Sequence, residues 1–221
     1  MQFKHLSILP VFVFIAGCGN SAQNSAIKAS HVASNINLPS YSINDIFIYD
    51  DGHIERVSDI QGEIITWETS EGALSYKAYR NFVLPMLEWE TLSSIGRVEI
   101  DIVDYEFLWP LKIGNSDSIN FKEYIEDKSG ASNSRSFNQK WTCVVKQEEQ
   151  VLTTVGSFNT IPITCDLYFN SSDLIQSSTW FYAPKIQHYV RRIYEIPGSS
   201  KTSSMRKERN LISYIPTIAG L

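Results

Sequence analysis

Residues 46–57 read Ile46-Phe47-Ile48-Tyr49-Asp50-Asp51-Gly52-His53-Ile54-Glu55-Arg56-Val57, and this stretch decides the fold class. A run of β-branched and aromatic residues stops at Asp51-Gly52, and a second such run follows. Asp-Gly suits a tight turn that needs positive φ, so the stretch predicts a β-hairpin. Working outward, Gln61-Gly62 predicts a second turn, leading into Glu63-Ile64-Ile65-Thr66-Trp67. Residues 73–90 predict further strands, with Pro85 at an edge or bulge because it has no N–H to give a ladder. Residues 97–102 alternate strictly, as a half-solvated strand does. In the second half, strands are expected at 140–147, 150–155, 161–169, 178–182, 188–196 and 210–215. The chain is 12% aromatic, and helical periodicity is nearly absent. The fold class expected is all-β: an antiparallel β-sandwich or a partly open β-barrel, in one body or two lobes, with little helix.

Polar sequence interrupts this pattern twice. Residues 114–139 predict a loop or seam between an N-terminal β lobe (41–113) and a C-terminal β lobe (140–221), with a short helix at 121–127. Residues 197–208 predict a second polar loop.

The chain opens with Lys4, then a nearly continuous apolar run over 6–16 (LSILPVFVFIA), then Gly17-Cys18-Gly19. A membrane-spanning helix needs about 20 apolar residues. The shorter run fits the core of a secretory signal peptide, assigned to residues 1–17. Ile15-Ala16-Gly17-Cys18 resembles the lipobox of bacterial lipoproteins. That resemblance implies diacylglycerol on the Cys18 sulfur, cleavage before Cys18 and acylation, with palmitate or a similar chain, of the new amino terminus. Gly19, in place of the aspartate that resembles a retention signal, implies sorting to the outer membrane, facing the periplasm, in a cell with two membranes. Residues 18–40 are rich in Ser, Asn and Ala and predict a flexible tether behind the lipidated cysteine, with His31 solvated in it.

Export places the other two cysteines, Cys143 and Cys165, where thiols can be oxidised. Alternation sets Trp141, Cys143 and Val145 on one apolar strand face, and Ile161, Ile163, Cys165 and Leu167 on another, so a disulfide between them is predicted. The motifs Trp141-x-Cys143, Gly156-x-Phe158-x-Thr160, Trp180-Phe181-Tyr182-Ala183-Pro184 and His188-Tyr189-Val190-Arg191-Arg192 resemble a pattern of uncharacterised periplasmic β-rich lipoproteins. That resemblance spans residues 140–215 and implies a curved antiparallel sheet; it brings no catalytic residues with it.

Chemistry-bearing motifs are few. The sequence holds no G-x-S-x-G elbow, no metal-ligand spacing and no Gly-rich phosphate loop, so no catalytic residue, metal or cofactor is assigned. His53 follows the Asp-Gly turn and is expected to be exposed. His188 leads an aromatic and arginine-rich strand and is the candidate base should the protein be an envelope hydrolase. Glu88 and Glu90, flanking Trp89, are expected on the wet face of an edge strand.

Net charge is −5, which lends no support to nucleic-acid binding. Charge is uneven along the chain. Residues 45–106 carry 14 acids against four bases, and residues 185–209 carry seven bases against two acids. Either the two segments meet, or the second forms a basic patch. In the latter case Trp180, Tyr182, His188, Tyr189, Arg191 and Arg192 form a binding surface for an anionic envelope polymer or another envelope protein. The five tryptophans read as core, or as the lining of an open aromatic mouth. The expected function is a membrane-anchored, non-enzymatic module that binds a ligand or partner. The alternatives are the His188 hydrolase and a structural or assembly lipoprotein with no small ligand.

Overall fold

A computed structural model describes residues 36–70, 73–100, 104–129, 134–198 and 204–217. The signal peptide, Cys18 and the tether as far as residue 35 lie outside these. The described residues form one compact unit.

Thirteen strands run in chain order: β1 (Ile46–Tyr49), β2 (Ile54–Gln61), β3 (Ile64–Thr69), β4 (Ala73–Tyr79), β5 (Glu88–Thr91), β6 (Ser94–Ile100), β7 (Ser116–Asp127), β8 (Arg135–Val145), β9 (Glu149–Thr153), β10 (Gly156–Phe169), β11 (Asp173–Ala183), β12 (His188–Ile196) and β13 (Met205–Ile215). Each neighbouring pair is antiparallel, and β10 pairs with both β8 and β11, which closes twelve strands into a barrel. The thirteenth, β9, pairs only with the first residues of β10, from Gly156 to Thr160. Closure removes the free edges that an open sheet would expose to other chains.

The opening hairpin forms as its residues predict. Ile48 faces Ile54 and Phe47 faces Glu55, with Gly52 at φ 86°, where a side chain would be strained. Gly62 takes φ 62° in the next turn. Pro85 lies in the loop between β4 and β5 rather than in a strand.

The polar stretch 114–139 is not a seam, and 121–127 is not a helix. β7 and β8 occupy most of it and pair over ten positions, from Ser116 opposite Val144 to Ile125 opposite Arg135. β7 also pairs with β6, so the sheet runs unbroken from one half of the chain to the other. Its Ser, Asn and Lys residues belong to a solvated outer face while Phe121 is buried on the inner one. β13 likewise takes up the end of the polar stretch 197–208.

The inner wall carries the large apolar side chains, among them Phe47, Tyr49, Val57, Trp67, Trp141, Ile163, Trp180 and Leu211, all buried. The outer wall carries ion pairs: Arg56–Glu68, Lys77–Glu88 (2.7 Å), Lys128–Glu90 (2.6 Å), Arg97–Glu99 (3.0 Å) and Arg206–Glu195 (3.4 Å). Cationic side chains facing lipid would each cost about 2–4 kcal/mol near a bilayer midplane, so this outer surface belongs in water. Among the described residues no helix is long and apolar enough to cross a membrane.

Cys143 and Cys165 stand directly opposite each other on β8 and β10, both with 0% exposure, and their sulfurs are bonded. The bridge closes a loop of 22 residues in sequence separation. Replacing both cysteines by alanine is expected to cost about 3 kcal/mol of stability, the loop entropy returned to the unfolded chain, seen as a lower urea midpoint. An unchanged midpoint would contradict this.

The acidic and basic segments meet. Arg209 pairs with Asp51 at 2.8 Å, and Asn210 donates to Asp50, so the turn of the first hairpin is tied to β13. Arg191 pairs with Glu208, and Arg206 with Glu195 and Glu208. These three arginines are therefore neutralised locally and do not make an open basic patch.

Candidate functional site

The barrel interior is not filled. A cavity of about 470 Å³ lies among β2–β8 and β10–β13, lined by Trp67, Tyr76, Phe82, Trp89, Trp141, Trp180 and Tyr189 together with Ala78, Leu84 and Leu167. Met86 and Ile175 also line it and are exposed, which marks the side on which it opens. Four of the five tryptophans thus form an aromatic wall, Trp67, Trp141 and Trp180 buried and Trp89 half-buried. The fifth, Trp109, packs edge-on against Phe82 and Tyr182 and donates its indole N–H to the Asn37 carbonyl.

Local sequence explains how the wall is held. The loop after β4 turns inward because buried Asn81 donates through Nδ2 to the carbonyls of Tyr105 and Glu106 and accepts from the Val83 N–H. This carries Phe82 among Trp180, Tyr182, His188 and Tyr189. Trp141 donates to the Val83 carbonyl (2.9 Å) and Trp89 to Glu123 Oε1 (3.2 Å). Trp89 lies flat over Gly96, its cross-strand partner. A Cβ at Gly96 would fall 1.9 Å from the indole, so only glycine leaves room for it.

A polar cluster stands at the cavity wall with Glu55 at its centre. Glu55 is 4% exposed and takes hydrogen bonds on both oxygens. Oε1 accepts from Tyr189 (2.9 Å), His53 Nε2 (3.1 Å) and Tyr76 (3.4 Å), and Oε2 accepts from His188 Nε2 (3.1 Å). The other His188 nitrogen, Nδ1, accepts from the Tyr41 hydroxyl at 2.9 Å. A carboxylate can only accept, which fixes the His188 tautomer with its proton on Nε2.

Burial works to raise the Glu55 pKa, but the hydrogen bonds from His188 and His53 outweigh it and hold the carboxyl well below the usual carboxylate range. Burial pushes His188 below its ordinary 6.5, against the pull of Glu55. The same desolvation raises Tyr41, Tyr76 and Tyr189 well above ordinary phenol values, with the Glu55 charge adding to it, so all three stay protonated and donate. The cluster at neutral pH is one buried anion inside a cage of donors.

This arrangement disposes of His188 as a ready base. Both ring nitrogens are engaged, and the one hydroxyl that hydrogen-bonds it is the Tyr41 phenol, whose proton is held more tightly than usual. Among the described residues no group of three His, Cys, Asp or Glu is placed to hold a metal ion.

The six residues expected to form a binding surface do not lie together on the outside. Trp180, His188, Tyr189 and Arg192 line the cavity, and the first three are buried at 6%, 1% and 3% exposure. Tyr182 is also buried, behind Phe82. Arg191 alone points away, stacked over Phe181 and paired with Glu208. Strand alternation, with a bulge at Phe181/Tyr182, sends Arg191 and Arg192 to opposite sides. His53 is buried at 8%, not exposed, because its ring turns in toward Glu55. Glu88 and Glu90 are exposed as expected, although β5 lies between β4 and β6 rather than at an edge.

No family model matches the chain, and no curated protein matches it. Solved structures similar to it in fold include the following two. One is a hypothetical lipoprotein, YmcC, from Escherichia coli, at TM-score 0.48 and 12% identity over 78% of this chain and 84% of that one. The other is an exported protein with a YmcC-like fold from Bacteroides fragilis, at TM-score 0.43 and 12% identity over 80% and 98%.

Proposed function

We propose that this chain is an envelope lipoprotein, anchored through Cys18, whose barrel receives one small, largely apolar ligand in its interior. The cavity carries this reading. Its volume falls within the range of about 300–1,000 Å³ typical of ligand pockets, its wall is aromatic, and it opens beside Met86 and Ile175. A barrel built only as a scaffold gains stability by filling such a space, since interiors otherwise pack with few voids. The lipid anchor rests on the signal-peptide pattern and Cys18, and it sets the location: a water-facing barrel tethered to a membrane, most naturally the outer membrane on its periplasmic side.

A hydrolase acting through His188 receives no support from a histidine whose two nitrogens are already occupied. An anionic polymer bound on the outer face receives little from arginines that are paired to neighbouring acids.

Filling the cavity tests the reading. Ala78 lines it and is 5% exposed, so Ala78→Phe places a ring in the open space. With a neutral fluorescent naphthylamine as probe, the unchanged chain is expected to bind one equivalent with energy transfer from tryptophan. Ala78→Phe is expected to weaken binding about tenfold or more while holding or raising the urea midpoint. Equal binding by both would place the probe elsewhere and remove the cavity from consideration. The anchor is tested separately: Cys18→Ser should move the protein from the membrane to the soluble fraction, with no acyl mass on its amino terminus.

A further inference from the structure

Among the described residues, the cavity is lined by one cation, Arg192, whose donors are mostly unused. Arg192 stands opposite Trp180 on the neighbouring strand and lies over that indole at 4.9 Å, with the Tyr194 ring at 5.8 Å on another side. Its only hydrogen bond among the described residues runs from Nη2 to Ser178 Oγ at 3.5 Å, the limit of such a contact. Its Nε is buried with no partner, and it forms no ion pair among the described residues. A guanidinium has five N–H donors; Arg192 is half-buried, and a buried donor such as its Nε is costly to leave unpaired unless a ligand arrives to take it.

The other charges along the wall are already satisfied. Glu55 accepts from four side chains. Glu123 accepts from the Trp89 indole on one oxygen and from Gln139 Nε2 (2.9 Å) on the other. Arg209 is bound to Asp51. The unmet demand in this cavity is therefore for negative charge at Arg192, next to a large aromatic surface.

Resting on the reading that the interior binds a ligand, we infer that the ligand is a single-chain amphipathic anion. Its carboxylate or phosphate head sits on Arg192, and its apolar chain runs along Trp180, Trp141 and Trp89. With the Trp180 and Tyr194 rings beside it, the guanidinium can offer its N–H fork to two oxygens of one head group. The volume suits one chain rather than a two-chain lipid. The saturated carboxylates of Glu55 and Glu123 repel an anion everywhere else along the wall, which gives the chain one direction of insertion.

The test uses the full chain with Cys18→Ser, prepared without detergent, and calorimetric titration of four twelve-carbon probes: dodecanoate, dodecyl phosphate, dodecanol and dodecylammonium. The two anions are expected to bind at least about tenfold more tightly than the alcohol, with the ammonium weakest. Whichever anion binds more tightly identifies the head group as carboxylate or phosphate. Arg192→Gln should abolish the preference for anions over dodecanol, and Arg192→Lys should restore part of it. Equal binding of anion, alcohol and ammonium would overturn the anionic assignment while leaving the interior as a binding site. Failure of all four to bind would overturn both. Should Arg192→Gln not fold, the order of the four probes on the unsubstituted barrel still decides.

Discussion

Glu55→Ala is expected to be the most damaging single substitution in the barrel, lowering stability by about 3–5 kcal/mol. The carboxylate is the common acceptor for His53, His188, Tyr76 and Tyr189, which reach it from the turn before β2, from β4 and from β12. Removing it takes this acceptor from four donors, three of them on buried side chains, and each buried group that is orphaned costs about 1–3 kcal/mol before the structure relaxes. In a domain of this size the melting temperature should fall by roughly 10 °C or more. Glu55→Gln keeps the volume but turns one acceptor into a donor facing other donors, so it should recover only part of the loss. Urea titrations of the three proteins check this; a loss below about 1 kcal/mol for Glu55→Ala would show that the cluster adds little.

Acid should weaken the fold well above the pH at which ordinary carboxylates protonate. His188 has a folded pKa below its ordinary 6.5, so as pH drops below 6.5 the unfolded chain takes the proton first and stability falls. The slope can approach about 1.4 kcal/mol per pH unit while one such group titrates. Glu55, held below its ordinary 4.5, acts with the same sign: its stabilisation is present above pH 4.5 and is lost as pH falls through the folded pKa. The groups packed around His188 are Tyr41, Phe47, Trp67, Phe82, Tyr189 and Glu55; Glu55 is the carboxylate bonded to it, buried Asp45 adds to the pull of Glu55 on its proton, and His53 opposes them. Urea midpoints measured from pH 8 to pH 4 should therefore decline in two stages, the first beginning near 6.5. His188→Asn should remove the first stage and keep the second. A midpoint flat between pH 7 and pH 5 would contradict the buried, neutral histidine.

Much of the barrel was legible where strand chemistry and turn chemistry agree. Asp51-Gly52 and Gln61-Gly62 mark turns because both glycines take positive φ, and the aromatic, β-branched runs beside them become β1, β2 and β3. β7 was illegible because one of its faces is wet and its inward positions mix Phe121 with Glu123, so no clean apolar alternation survives. Closure into a barrel, rather than a sandwich, depends on β13 meeting β1 and on β10 bridging β8 to β11, pairings between residues far apart in sequence.

The site was half legible. Trp180, His188, Tyr189 and Arg192 stood out by composition, but their side of the wall follows from the bulge at Phe181/Tyr182, which no residue pattern announces. Glu55 and His53 were missed. In Ile54-Glu55-Arg56-Val57 each face holds one apolar and one charged residue, so alternation does not choose between them. The hairpin register could have chosen: a turn at Asp51-Gly52 sets Glu55 opposite Phe47, a residue with every reason to face inward. A carboxylate facing inward among aromatics asks for donors, and His188 was the histidine left to supply one.

The most direct measurement of the central claim is a crystal structure of the barrel grown with dodecanoate. Continuous density for one chain is expected inside the barrel beside Trp141 and Trp180, with its carboxylate on the Arg192 guanidinium. An interior occupied by ordered water or closed by its own side chains, with the probe absent or bound outside, would contradict it.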